Sequence, residues 1–210
     1  MSVWTPDCFR LFLSHVSAHK GAAATLKDAL ALYNVSCFVA HNDIETTKAW
    51  QDEIEKALRT MDALVALLTP DFHASKWTDQ EVGFAMGRGV LIVSLRHGQD
   101  PYGFIGKFQG YAFGGKTVEK IAKDLVEILA KHDTTSIRMA QVLAGCLEQS
   151  GSWENARRTM TLLEQCSRKD DDILERLQKA KDENSQVRNA GGVPDRIDAL
   201  IEKFKKDEKV

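Results

Sequence analysis

The chain has 210 residues, enough for one medium domain and a smaller second element. Its composition, 43% hydrophobic and 28% charged, is that of a globular chain and excludes a disordered one. A formal net charge of −2 excludes a global positive field that would hold a polyanion, so nucleic acid is not an expected partner.

Taken in order, the first half alternates between two hydrophobic periods. Phe9 to Leu13 is a short apolar run and reads as a buried strand. Ser17 to Tyr33 places Ala23, Leu26, Leu30 and Tyr33 at helical spacing. Val35 to Val39 reads as a second strand, and the polar stretch His41 to Lys48 as a loop. Trp50 to Arg59 carries Trp50, Ile54, Ala57 and Leu58 on one helical face, with Trp50 expected as a core anchor. Asp62 to Leu68 is a third strand, Thr78 to Met86 opens a third helix, and Val90 to Leu95 is a fourth strand. His97 to Gly110 holds Pro101 and several glycines and reads as a loop. Tyr111 to Phe113 is a candidate fifth strand, and Lys116 to Lys131 a helix striped by Val118, Ile121, Leu125 and Leu129. Strands alternating with helices imply crossover connections and a parallel sheet covered on both faces.

After His132 the strands stop. Thr135–Gln149, Ser152–Ser167, Asp170–Glu183 and Pro194–Lys206 read as amphipathic helices, with Pro194 at a first helical position. The expected architecture is therefore an α/β unit over 1–132 with a central parallel five-stranded sheet flanked by helices. A C-terminal all-α appendage over 133–210 would serve docking or oligomerisation. The four cysteines, Cys8, Cys37, Cys146 and Cys166, form no zinc-like spacing and read as reduced thiols. No metal site is expected, because the histidines make no fixed-spacing cluster with carboxylates. Met1 to Asp7 lacks a basic and an apolar region, and no apolar run is long enough to span a bilayer. A cytoplasmic location with no membrane partner is the expectation.

Three segments then stand together. Leu11-Phe12-Leu13-Ser14-His15 closes the first strand. Asp43-Ile44-Glu45, then Trp50 and Glu53 to Leu58, spans a loop and the next helix. Leu67 to Phe72, followed by Ser75-Lys76-Trp77-Thr78-Asp79-Gln80-Glu81, spans the third strand and a Ser-x-Trp-x-x-x-Glu segment. In this order and spacing they resemble the Toll/interleukin-1 receptor (TIR) family over about Phe9 to Lys131, and are most similar to its microbial members. The resemblance implies a flavodoxin-like TIR fold. It also implies one of two functions: NAD glycohydrolase or cyclase activity in defence signalling, or a non-catalytic adaptor module that assembles with other TIR domains.

In the enzymes the carboxylate of the Ser-x-Trp-x-x-x-Glu segment is catalytic, which points here to Glu81, with Trp77 as the aromatic partner. Ser14, His15, Asp43 and Lys48, on loops beyond the carboxyl ends of the strands where ligands of open parallel sheets gather, are the expected substrate contacts. NAD would be a substrate, so no separate cofactor is expected. Nicotinamide is cationic in NAD and leaves neutral, so the chemistry needs a carboxylate to stabilise the ribosyl oxocarbenium ion. An indole four residues away on a helix shares the carboxylate's face and can stack on a base. The family's second-strand loop (the BB loop), here about His41 to Ala49, is implied to complete a neighbouring molecule's site, which would make activity depend on self-association.

Two local patterns compete. Thr78-x-x-Glu81 has the form of a capping box, in which Thr78 and Glu81 would satisfy each other's backbone amides, with Trp77 and Val82 as a hydrophobic staple. Gly110 to Thr117 fits the phosphate-loop pattern G-x-x-x-x-G-K-[ST], but that motif needs a strand before its first glycine. Here the best strand residues fall inside the match, so a nucleotide triphosphatase is disfavoured. Lys76, like most surface lysines, reads as a solvated charge, and His15 and His19 as solvent or loop residues.

Overall fold

A computed structural model of the chain describes residues 2–39, 48–112 and 114–207, with only the backbone described for residues 48–50 and 206–207. The predicted loop around His41 lies almost wholly outside the described residues, as do Asp43 and the side chains of Lys48 and Trp50. The chain divides into two compact units, Met1–Leu125 and Val126–Val210.

The first unit is built on strands β1 (Phe9–Ser14), β2 (Val35–Val39), β3 (Ala63–Leu68), β4 (Leu91–Arg96) and β5 (Tyr111–Ala112). They form one sheet of order β2-β1-β3-β4-β5, with every pairing parallel. All six residues of β3 are buried, as are five of six in β1. That is why both read as continuous apolar runs rather than as alternating ones. The crossover elements are α1 (Lys20–Ala31), α2 (Lys48–Thr60) and α3 (Thr78–Arg88). Helix α4 (Val118–Lys131) follows β5. A core of Phe12, Ile54, Ala57, Leu58, Leu64, Ala66, Leu68, Phe72, Val82 and Ala85 packs α2 and α3 on the sheet. Helix α3 stops at Gly89, whose φ of +67° is left-handed and whose amide returns to Ala85 O and Met86 O. Glycine adopts that conformation at the least cost.

The predicted strands match the observed ones to within a residue or two. Ser17–His19 is a 3-10 turn ahead of α1, and Gly103–Lys107 is a second one inside the predicted loop. The phosphate-loop match is broken as its context suggested. Strand β5 lies within it, and its Lys116 ammonium already donates to Tyr111 Oη and to Asp124 Oδ2.

The second unit contains α5 (Ser136–Glu148), α6 (Trp153–Gln165), α7 (Asp171–Glu183), α8 (Ser185–Arg188) and α9 (Val193–Asp207). Its interior is aliphatic: Met139, Leu143, Leu147, Met160, Leu163, Ile173, Leu177, Val187 and Ile197 are all at or below 2% exposure. The run Asp170-Asp171-Asp172 opens α7, with Asp170 as its cap accepting from the Ile173 amide at 3.0 Å. Helix α9 starts one residue before Pro194, so the proline is second in the first turn, where its missing N–H still costs nothing. The four-residue α8 is too short to show a period and was not foreseen. Among the described residues no helix is long and apolar enough to cross a membrane.

At the amino-terminal edge of the sheet, Asp62 ties the first strand to the third. It accepts from the Arg10 amide at 2.9 Å and from the Arg10 guanidinium at 2.5 Å, while its own amide donates to Arg10 O. Asp62→Ala leaves the Arg10 amide without its acceptor and should cost roughly 2 kcal/mol. Urea unfolding of the variant beside the wild type measures this, and an unchanged midpoint would contradict it.

Candidate active site

In an open parallel sheet the ligand crevice lies beyond the carboxyl ends of the strands, where successive connections leave in opposite directions. In the order 2-1-3-4-5 that point lies between β1 and β3. Ser14 ends β1 in register with Ala66 of β3, and the segment after β3 leads into α3. Both elements of the sequence-derived site therefore border the crevice.

The segment after β3 is held by its own hydrogen bonds. Phe72 is fully buried, and its amide donates to Thr69 O at 2.9 Å. Thr69 Oγ1 donates to Asp71 at 2.7 Å. Thr78, also fully buried, donates from Oγ1 to Phe72 O at 2.5 Å. Tyr102 reaches over from the loop after β4 and donates to Asp79 at 2.6 Å. Burial and the Asp79 carboxylate both push the Tyr102 phenol well above its ordinary range.

These bonds overturn the capping-box reading. The helix is capped by Trp77 with no side-chain hydrogen bond. Thr78 is committed to Phe72 O, six residues back, and does not take the Glu81 amide, which donates to Trp77 O at 2.9 Å. The Glu81 carboxylate turns inward instead. It is 3% exposed, and its Oε2 accepts from Ser14 Oγ at 2.5 Å.

Burial pushes the Glu81 carboxyl up to about 7, while the Ser14 hydrogen bond pulls it down. A carboxyl so placed is divided between its charged and neutral forms near neutral pH. That is a signature of functional sites more than of structural ones.

Glu81 also lines a cleft of about 510 Å³ between α2 and α3. The size is that of a small-molecule site. One wall is a stripe along α3, Trp77, Glu81 and Phe84, at the spacing that puts side chains on one face. The other wall comes from α2 and includes Gln51, Glu55 and Arg59. The Arg59 guanidinium lies 5.9 Å from the Phe84 ring centroid. Arg59 is the one cationic side chain lining the cleft among the described residues.

His15 lies in the loop just after β1, as one half of its reading had it, but it is 3% exposed, with Nδ1 3.1 Å from Leu13 O, and so is not a solvent residue. Neither Ser14 nor His15 lines the cleft; Ser14 stands behind Glu81. The structure thus brings Trp77, Glu81 and Ser14 together. The α2 wall, whose Arg59 faces Phe84 of α3, was missed from sequence. The Trp77-Glu81-Phe84 spacing could have extended the stripe, but nothing local marks Arg59.

These features define a class: a doubly wound α/β domain with a buried, titratable carboxylate bonded to the strand end at the reversal of strand order and lining a ligand-sized cleft between α2 and α3. A family model described as TIR domain matches residues 11–126, and the chain belongs to the TIR family. Solved structures similar to it include the TIR domain of a Toll-related receptor from Hydra magnipapillata. That match is at 16% identity over 56% of this chain and 94% of that one, with a TM-score of 0.46. No curated protein matches the chain.

The raised Glu81 carboxyl makes a stability prediction with a definite sign. The folded state holds this proton to about pH 7 and the unfolded chain only to its ordinary value of 4.5. The folded protein therefore loses stability as pH rises between those values, by roughly 3 kcal/mol in all, and no more above them. Glu81→Gln removes that cost. The variant should resist denaturant better than the wild type at pH 8, with the gain shrinking towards pH 4.5. A variant less stable than wild type at pH 8 would show that Glu81 acts as a structural tie.

Proposed function

We propose that this TIR domain cleaves the bond between nicotinamide and ribose in NAD, with Glu81 as the catalytic carboxylate. The single observation that carries the reading is the burial of Glu81 beside an aromatic-lined cleft with Ser14 as its one side-chain hydrogen-bond partner among the described residues. A buried carboxylate without an ion pair is costly and rarely kept for stability.

In the proposed reaction nicotinamide departs neutral with the bonding electron pair. The ionised Glu81, itself 3% exposed, then faces the positive charge that develops on the ribose. Water attack at the anomeric carbon, with loss of its proton to solvent, gives ADP-ribose, and attack by a nucleophile of the same molecule gives a cyclic isomer. Trp77 offers a ring face for the departing base. Arg59, beyond Phe84 on the same cleft, is suited to the diphosphate. Asp43 and Lys48 remain proposed substrate contacts from their place in the chain after the second strand, as does His15 beside Ser14.

Self-association would raise the activity, with residues His41 to Ala49 of one molecule reaching the site of the next and the helical region 133–210 assisting assembly or docking another protein. Defence signalling in the cytoplasm is the context implied. A second reading, a non-catalytic interaction module, draws on one observation: Phe104 and Phe108 are 81% and 48% exposed on the loop after β4.

The test is nicotinamide release from NAD by concentrated protein. Wild type should release it, increasingly per molecule as concentration rises, and Glu81→Gln should lose at least a hundredfold in rate, about 2.7 kcal/mol of barrier. Release by wild type and mutant alike would remove Glu81 from the chemistry, and no release by either would leave the interaction module. Arg59→Ala should raise KM about tenfold with little change in kcat, as expected for a contact made equally in ground and transition states. A KM that does not move would show that the diphosphate lies elsewhere.

A further inference from the structure

Ser14 was expected as a substrate contact, yet its surroundings suit a different task. It is fully buried at the end of β1, a strand paired on both sides, with its backbone opposite Ala66 in the ladder. A serine hydroxyl has one hydrogen to donate. Here that hydrogen is directed at Glu81 Oε2 over 2.5 Å, so a substrate could take it only by breaking that bond.

The two residues are 67 positions apart, and their meeting links the sheet to the first turn of α3. Glu81 lines the cleft while Ser14 does not, so the carboxylate and not the hydroxyl meets the ligand space.

We propose that Ser14 is a positioning residue: its hydroxyl holds Glu81 Oε2 against the end of the sheet and leaves Oε1 to face the ribosyl cation. This rests on the reading of Glu81 as the reacting carboxylate. A donor fixed by the strand has two effects on its partner. It limits the carboxylate's rotation, so less reorganisation accompanies the reaction. It also favours the charged form, which burial alone would suppress.

A residue that merely fills space would produce neither effect. Ser14→Ala keeps the volume nearly constant and removes the donor. Ser14→Cys keeps the shape and offers only a weak donor, so its effect should fall between alanine and serine.

Two measurements on the full chain test the proposal. The first is a 13C NMR titration of the Glu81 carboxyl, which needs no turnover. The second is the pH dependence of nicotinamide release. In Ser14→Ala the carboxyl titration and the acid limb of kcat should both move up by about one pH unit, with Ser14→Cys between. Below the wild-type midpoint kcat should fall by up to about tenfold, KM should change less than twofold, and much of the loss should be recovered at pH 9.

A carboxyl titration in Ser14→Ala within roughly 0.3 unit of wild type would overturn the proposal. So would a loss of kcat that does not lessen as pH rises. If wild-type protein releases no nicotinamide while the titration still moves in Ser14→Ala, the enzyme reading fails, and only the coupling of the two side chains stands.

Discussion

Parallel pairing of β1 with β3 is the constraint from which the rest of the α/β unit follows. Parallel neighbours cannot be joined by a tight turn, so each strand is followed by a crossover and their carboxyl ends all emerge along one edge. Because β2 lies on one side of β1 and β3 on the other, the chain leaves β1 and β3 in opposite directions. The gap between those departures holds the end of β1, with Ser14, and the approach to α3, with Glu81. Covering the sheet places α2 and α3 together on one apolar core, and the groove between them becomes the cleft that Glu81 lines. Arg88 closes one end of this arrangement by donating to Leu58 O and Met61 O, at 2.7 and 3.0 Å.

The energetics at Glu81 run against stability. A carboxyl held near 7 by burial means that the folded protein bears a cost at neutral pH that a solvated glutamate would not impose. One hydroxyl offsets part of it. Elsewhere the same fold shows the contrary pattern, since Asp62 is satisfied by the Arg10 amide and guanidinium together. Among the described residues one carboxylate is satisfied by an amide and a guanidinium while the other is buried with a single neutral side-chain donor, and the proposed role of Glu81 rests on that contrast.

Most of the α/β architecture was legible because its signals are local and repeated. The β1 and β3 runs are apolar throughout because both faces are covered, and α2 and α3 show their core stripes at helical spacing. The Gly110 to Thr117 motif could be set aside from sequence because a strand falls within it, as β5 does. What failed was a local rule with a distant competitor. Thr78-x-x-Glu81 has every letter of a capping box, but Thr78 finds Phe72 O and Glu81 finds Ser14 across 67 positions. No window of sequence contains that second partner. Burial of His15 was missed for a related reason: a polar residue just past a strand reads as loop, whereas here the fold closes over it. Arg59 was invisible because a cation at the end of an amphipathic helix looks like any solvated charge until the facing Phe84 ring is in place.

The central claim is that Glu81 is a buried, titratable carboxylate that faces NAD. The most direct measurement is the titration of its carboxyl in the wild-type protein by 13C NMR, free and with a non-cleavable NAD analogue. We expect a midpoint near 7 in the free protein, and a downward shift when the analogue brings the cationic nicotinamide ribose beside it. A midpoint close to the ordinary 4.5, unmoved by saturating analogue, would contradict the account.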